Sequence, residues 1–207
     1  MEISTFVYFL TASILLTLAP GPDNLYLLTK SLSDGAKSGV ILAAGLVSGI
    51  IFHTFLVMVG VAAFIQNSPV AFTVLKIFGA AYLIFLSFKS FQSARAGKKI
   101  SMQKSDAIIS FAALYRRGVL MNVLNPKVLL FFLAFLPQFV NFSESPSLQI
   151  ILLGVTFAVQ GFFIMAAIAI CAGKVRTLIL RKKNLGQLFS YVEALVLAVI
   201  ALTLLIL

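Results

Sequence analysis

Two short stretches hold most of the residues that could do chemistry in an otherwise apolar chain. The first, "LTLAPGPDNLYLL" (residues 16–28), places Asp23 and Asn24 directly behind Pro20, Gly21 and Pro22. The second, "MNVLNPKVLL" (121–130), carries Asn122, Asn125, Pro126 and Lys127. Both lie inside long hydrophobic runs. Proline has no N–H to give and glycine tolerates unusual dihedrals, so intrahelical hydrogen bonds fail at each. Backbone freed in this way survives in a bilayer only against protein or in a wet cavity. A segment restarting after Pro22 presents an N-terminus of partial positive charge, which suits a carboxylate. The freed carbonyls and the Asp23 side chain suit a cation. One break therefore offers complementary poles for a zwitterion. Asn122 and Asn125, at i and i+3, share a helix face, and each can donate to and accept from a polar group. A kink merely filled by neighbouring helices is the plainer reading. The acid after Pro-Gly-Pro weighs against it, because ionisable groups inside a membrane are costly and are functional by default. Lys127 reads two ways, as a snorkelling or ion-paired lysine or as a partner of Asp23 or of substrate.

Three further polar residues fall within apolar segments. His53 can titrate near neutral pH and is a candidate proton carrier; a neutral, hydrogen-bonded packing role weighs equally. Glu193 is a proton-coupling candidate if it is buried, but its place near the start of a span favours pairing with lysines at the membrane interface. Gln160 could line a path or bond a neighbouring helix. Asp23, sited at a break, is the strongest proton-coupling candidate.

The elements that must position these residues follow from composition. The 207 residues are 61% hydrophobic and 11% charged, with mean hydropathy +1.09. Soluble domains run at about 45–50% and about 25%, so the chain reads as an all-α polytopic membrane protein. Six candidate spans cover roughly Ile3–Leu28, Gly39–Ile65, Pro69–Phe91, Ala107–Val140, Ser147–Cys171 and Leu185–Leu207. The first has Glu2 where a signal peptide would be basic, and it lacks a small-residue cleavage pattern.

Lysine and arginine outnumber acids 16 to 6. They concentrate in the connections after spans one, three and five, whereas "QNSP" and "NFSESPS" hold none. The positive-inside rule then places the basic connections in the cytoplasm and both termini outside. Nucleic acid is not the partner this pattern implies; anionic lipid is the simplest contact for the basic linker. Six spans divide into a first half at 1–91, a basic cytoplasmic linker at 92–106 and a second half at 107–207. Three spans per half makes the second half inverted, with a broken first helix in each. Paired interruptions at corresponding positions are the best sequence pointer to a transporter site.

Other chemistries find little support. The single cysteine, Cys171, excludes an intrachain disulfide, a CxxC pair and a cysteine zinc site. There is no HExxH, no GxSxG and no second histidine, so neither an enzyme, a cofactor nor a metal is expected. Gly45 and Gly49 form a GxxxG that reads as close helix packing within one protomer, with a homodimer face as the second reading.

Together, the "PGP" of span one, "DGAKSGVILAAGLVSG" of span two, "GAAYLIFL" of span three and "NVLNPKVLLFFLAFLPQF" of span four resemble the LysE/RhtB family of amino acid exporters. The resemblance covers essentially the whole chain. It implies a six-span exporter of an amino acid or derivative in the bacterial inner membrane, driven by the proton-motive force. It also implies that the "PGP" and "NP" breaks flank the substrate path. The expected substrate-binding set is Pro20, Gly21, Pro22, Asp23, Asn24, Asn122, Asn125 and Pro126. The proton-coupling candidates remain Asp23, His53 and Glu193. A neutral amino acid is favoured, since a cationic one would call for more acids in the path. The alternatives are a channel or an exporter of another small polar solute or ion.

Overall fold

The computed structural model describes residues 2–60, 68–97, 110–174 and 185–206. The linker lysines Lys98, Lys99 and Lys104 and the basic run 175–184 lie outside the described residues. Eight helices make up the described chain: α1 (Ile3–Leu18), α2 (Pro22–Asp34), α3 (Ala36–Gly60), α4 (Pro69–Arg95), α5 (Phe111–Val123), α6 (Pro126–Leu130), α7 (Pro146–Lys174) and α8 (Leu185–Ile206). Among the described residues four helices are long and apolar enough to cross a membrane, and each of two bent pairs can make one more span. The pairs are α1 with α2, bent by 56°, and α5 with α6 and its continuation to Phe139, bent by 49°. Both bends fall at the prolines singled out in the sequence.

Local chemistry explains the boundaries. Pro22, Pro69 and Pro126 each open a helix at its first position, where a missing N–H costs nothing. Ser68 and Ser110 cap α4 and α5 by accepting from the amides of Ala71 and Ala113. Helix α2 runs six residues beyond the expected end of span one, because Lys30 folds back on Asp34 one turn later and is itself buried. After α6 the chain widens into a π turn, Phe131–Phe135, then tightens into a 3-10 turn, Leu136–Phe139. Pro137 cannot donate to the preceding turn, and the Leu136 amide bonds instead to the Phe131 carbonyl.

Helix α3 packs along α5 and α7, and α4 along α8. The α3–α5 crossing brings the backbones together. A Cβ on Gly45 would overlap the Tyr115 carbonyl, and one on Gly118 would lie 2.6 Å from the Leu42 carbonyl oxygen. The GxxxG face is thus spent inside the protomer, the first of its two sequence readings. Next to the second break sits an aromatic core of Phe9, Phe131, Phe132, Phe135, Phe139 and Phe157, each no more than 6% exposed. The outer surface carries many exposed large apolar side chains, including Ile51, Phe55, Phe78, Phe163 and Leu195. A protein in water could not keep such a surface dispersed; acyl chains would cover it.

Candidate functional site

The two breaks meet. Asn125 caps the restart of α6, its side-chain oxygen accepting from the Lys127 amide at 3.0 Å. Its amide nitrogen donates to Asp23 Oδ2 at 2.7 Å, which joins the second break to the first across 102 residues. Lys127 reaches the other way. Its ammonium donates to the Ala19 carbonyl at 2.9 Å and leans on that of Leu16 at 3.5 Å, at the C-terminal end of α1. That end carries partial negative charge and unpaired carbonyls. Asn24 completes the join by donating to the carbonyls of Thr17 at 2.7 Å and Ala19 at 3.1 Å. Asn24 therefore closes the break itself, and its amide group is committed there.

Glu193 is half-buried. It lies eight residues into α8, about 12 Å along the axis, which carries it to the depth of the break. Its carboxylate accepts from Ser90 of α4 at 2.9 Å and lies in electrostatic range of Lys127. The lysines nearest to it in sequence, Lys182 and Lys183, lie outside the described residues, and its hydrogen-bond partner among the described residues is Ser90. A Cβ added at Gly21 would meet Lys127 Nζ at 3.2 Å and Glu193 Oε1 at 3.4 Å. Gly21 thus lets both charged side chains lie close against the break, where a methyl group would push them back by a few tenths of an ångström. Asp23 also lies in electrostatic range of Lys127. Lys127 makes no direct ion pair with Asp23 or Glu193, in contrast to Lys30, which pairs directly with Asp34. The three charges are instead held apart by neutral groups: Asp23 by Asn125, Glu193 by Ser90 and Lys127 by main-chain carbonyls.

His53 is fully buried, and its Nε2 lies 3.0 Å from the Asn122 carbonyl. A carbonyl only accepts, so Nε2 carries the hydrogen. Phe52 and Phe132 flank the ring. Nδ1 of His53, Oδ1 of Asn122 and Oε1 of Gln160 are buried without a hydrogen-bond partner among the described residues. Gln160 turns its amide nitrogen to Thr17 Oγ1 at 2.9 Å, so it bonds the neighbouring helix.

A cavity of about 30 Å³ occupies the junction. Its polar wall is formed by Thr17, Asp23, Asn24, Asn122, Asn125 and Lys127, and its apolar wall includes Ile50, Phe157 and Met165. That volume suits one or two waters and is too small for an amino acid. Pro20, Gly21, Pro22 and Pro126 act through the backbone, by ending α1 and starting α2 and α6. No side chain caps the N-terminus of α2, leaving that positive pole free beside the cavity.

The pairing of charge between the halves is visible in the sequence, where Lys127 reads as a partner of Asp23. Pro22-Asp23 and Pro126-Lys127 put opposite charges at the same position of the two restarted helices. The contact of Glu193 with Ser90 carried no such signal, because it depends on how α8 docks against α4.

A polytopic bundle whose two broken helices meet at a buried, charged cavity defines a membrane carrier scaffold. Residues 14–207 match the LysE type translocator family, and the chain belongs to it. It is 34% identical over 197 residues to the homoserine/homoserine lactone efflux protein of Salmonella typhimurium, covering 92% of this chain and 94% of that one. It is 28% identical over 180 residues to the leucine efflux protein of Salmonella choleraesuis, covering 86% and 84%. No solved structure matches the chain.

Proposed function

We propose that this protein exports a neutral amino acid or a close derivative across the bacterial inner membrane in exchange for protons. The observation that carries this reading is the meeting of the two breaks through Asn125 and Asp23, with Lys127 alongside. A zwitterion presents one carboxylate and one ammonium. The uncapped N-terminus of α2 suits the carboxylate. The C-terminal carbonyls of α1 and the Asp23 carboxylate suit the ammonium. The apolar wall of Ile50, Phe157 and Met165 suits an uncharged side chain. Relatives named for homoserine and homoserine lactone efflux and for leucine efflux agree with an amino acid or a close derivative, and homoserine and leucine are both neutral zwitterions.

Asp23 and Glu193 flank the lysine at the cavity, so protonation of either changes the charge that a substrate ammonium meets. Six spans with both termini outside and an inverted relation between 1–91 and 107–207 complete the proposal. They place the breaks near mid-membrane, where rocking of one half against the other exposes the site to each side in turn. Efflux from cells preloaded with dipeptides tests the reading. Export of one or a few neutral amino acids, abolished by a protonophore, supports it. Equal release from expressing and non-expressing cells contradicts it.

A further inference from the structure

The Lys127 ammonium sits where a substrate ammonium would have to sit. Its contacts are the Ala19 and Leu16 carbonyls, beside Gly21 and within the electrostatic reach of Asp23 and Glu193. A lysine serving only the fold would be expected to pair directly with a carboxylate, as Lys30 does with Asp34. Here both carboxylates are held by neutral donors, Asn125 and Ser90, and the ammonium rests on main-chain carbonyls. Each contact of Lys127 Nζ can be exchanged for the same contact from a free ammonium without breaking an ion pair. The four-carbon stem lets the head group withdraw. The side chain also fills part of a junction with space for only one or two waters.

We propose that Lys127 is a tethered stand-in for the substrate ammonium. It occupies the cation position whenever the carrier is empty, and it must be displaced before an amino acid can bind. This rests on the export reading above and deepens it. The stand-in lets the substrate-free protein, with the exchanged proton on one of its two carboxylates, close and return across the membrane without leaving the other carboxylate and a helix C-terminus uncompensated. The carbonyls at the end of α1 then meet one ammonium in either state, from substrate or from Lys127.

Two properties should separate when the stand-in is removed. A competitor that fills its site for most of the time lowers apparent affinity by the fraction of time the site is free. Lys127→Met should therefore bind a neutral amino acid more tightly, by about tenfold if the ammonium holds the site about nine-tenths of the time. Return of the empty carrier should slow, because its junction is uncompensated. The test uses purified full-length protein in liposomes, with homoserine and leucine as the probes. Equilibrium binding, net efflux and exchange of labelled for unlabelled amino acid are measured on wild type, Lys127→Met and Lys127→Arg.

Tighter binding in Lys127→Met, with the ratio of exchange to net efflux raised by about tenfold or more and partly restored in Lys127→Arg, is the expected result. Weaker binding in a Lys127→Met protein that melts like wild type would overturn the proposal and make the lysine structural or a direct substrate ligand. Equal loss of exchange and net efflux would overturn it as well. Failure of the wild-type protein to bind or move any amino acid would remove the export reading itself, an outcome distinct from either of these.

Discussion

Asn125 holds Asp23 at 2.7 Å while its own side-chain oxygen caps the helix that carries Lys127. One amide thus fixes an acid from the first half of the chain and the start of a helix in the second. Hydrogen bonds to charged groups contribute about 1.5–3 kcal/mol, and about 1.4 kcal/mol is a factor of ten. Asn125→Ala should cut export by about tenfold or more and lower the melting temperature. Asp23→Asn keeps the shape and removes the charge. It should cut export comparably while leaving the melting temperature close to that of wild type. Export assays paired with thermal unfolding in detergent check both.

Gly21 sits against Lys127 and Glu193 at distances that a methyl group would crowd. Both neighbours are the flexible ends of side chains, so the protein should still fold. Gly21→Ala should therefore reduce export with little loss of stability, whereas Gly45→Ala drives a methyl into the Tyr115 carbonyl. The second change should cost about 1–3 kcal/mol, the usual range for overpacking. Comparing the two variants by unfolding and by export separates a site glycine from a packing glycine.

His53 tests how the proton is carried. It does not line the cavity, and its Nε2 hydrogen is given to the Asn122 carbonyl. Glutamine can make the same donation without titrating near neutral pH. His53→Gln should keep proton-dependent export within about tenfold of wild type, since one neutral hydrogen bond contributes only about 0.5–1.5 kcal/mol. Glu193→Gln should change the pH profile of export, because a carboxylate beside Lys127 loses its charge. An unchanged profile in Glu193→Gln, with a lost one in His53→Gln, would transfer the proton role to the histidine.

Orientation can be read with thiol reagents. With Cys171→Ala as background, Ser143→Cys should react with an impermeant maleimide in intact cells. Ala96→Cys should react only after permeabilisation, as the distribution of lysine and arginine predicts. The reverse pattern would invert the topology.

The bundle was legible in the sequence because hydropathy and proline act locally. Span lengths, the breaks at Pro20–Pro22 and Pro126, and the close packing at Gly45 all follow from rules that need no partner residue. The junction was half legible. Asp23, Asn125 and Lys127 announced themselves as polar groups at breaks, but their mutual arrangement depends on how the two halves dock. For Glu193 the sequence left a buried and an interfacial reading open, because its contact with Ser90 depends on how α8 packs against α4. Gln160 and Thr17 meet through a contact between distant segments, and no local pattern marks it. The extension of α2 to Asp34 depended on Lys30 turning back along its own helix, which a span drawn by hydropathy alone does not detect.

The central claim is that the two breaks together form the amino acid site. The most direct measurement is uptake of labelled homoserine or leucine into liposomes preloaded with the unlabelled compound, for wild type, Asp23→Asn and Asn125→Ala. Each protein must first be confirmed as folded by its melting curve. The account predicts rapid exchange in wild type and a fall of about tenfold or more in both variants. Wild-type exchange rates in both folded variants would place the substrate elsewhere in the bundle and contradict it.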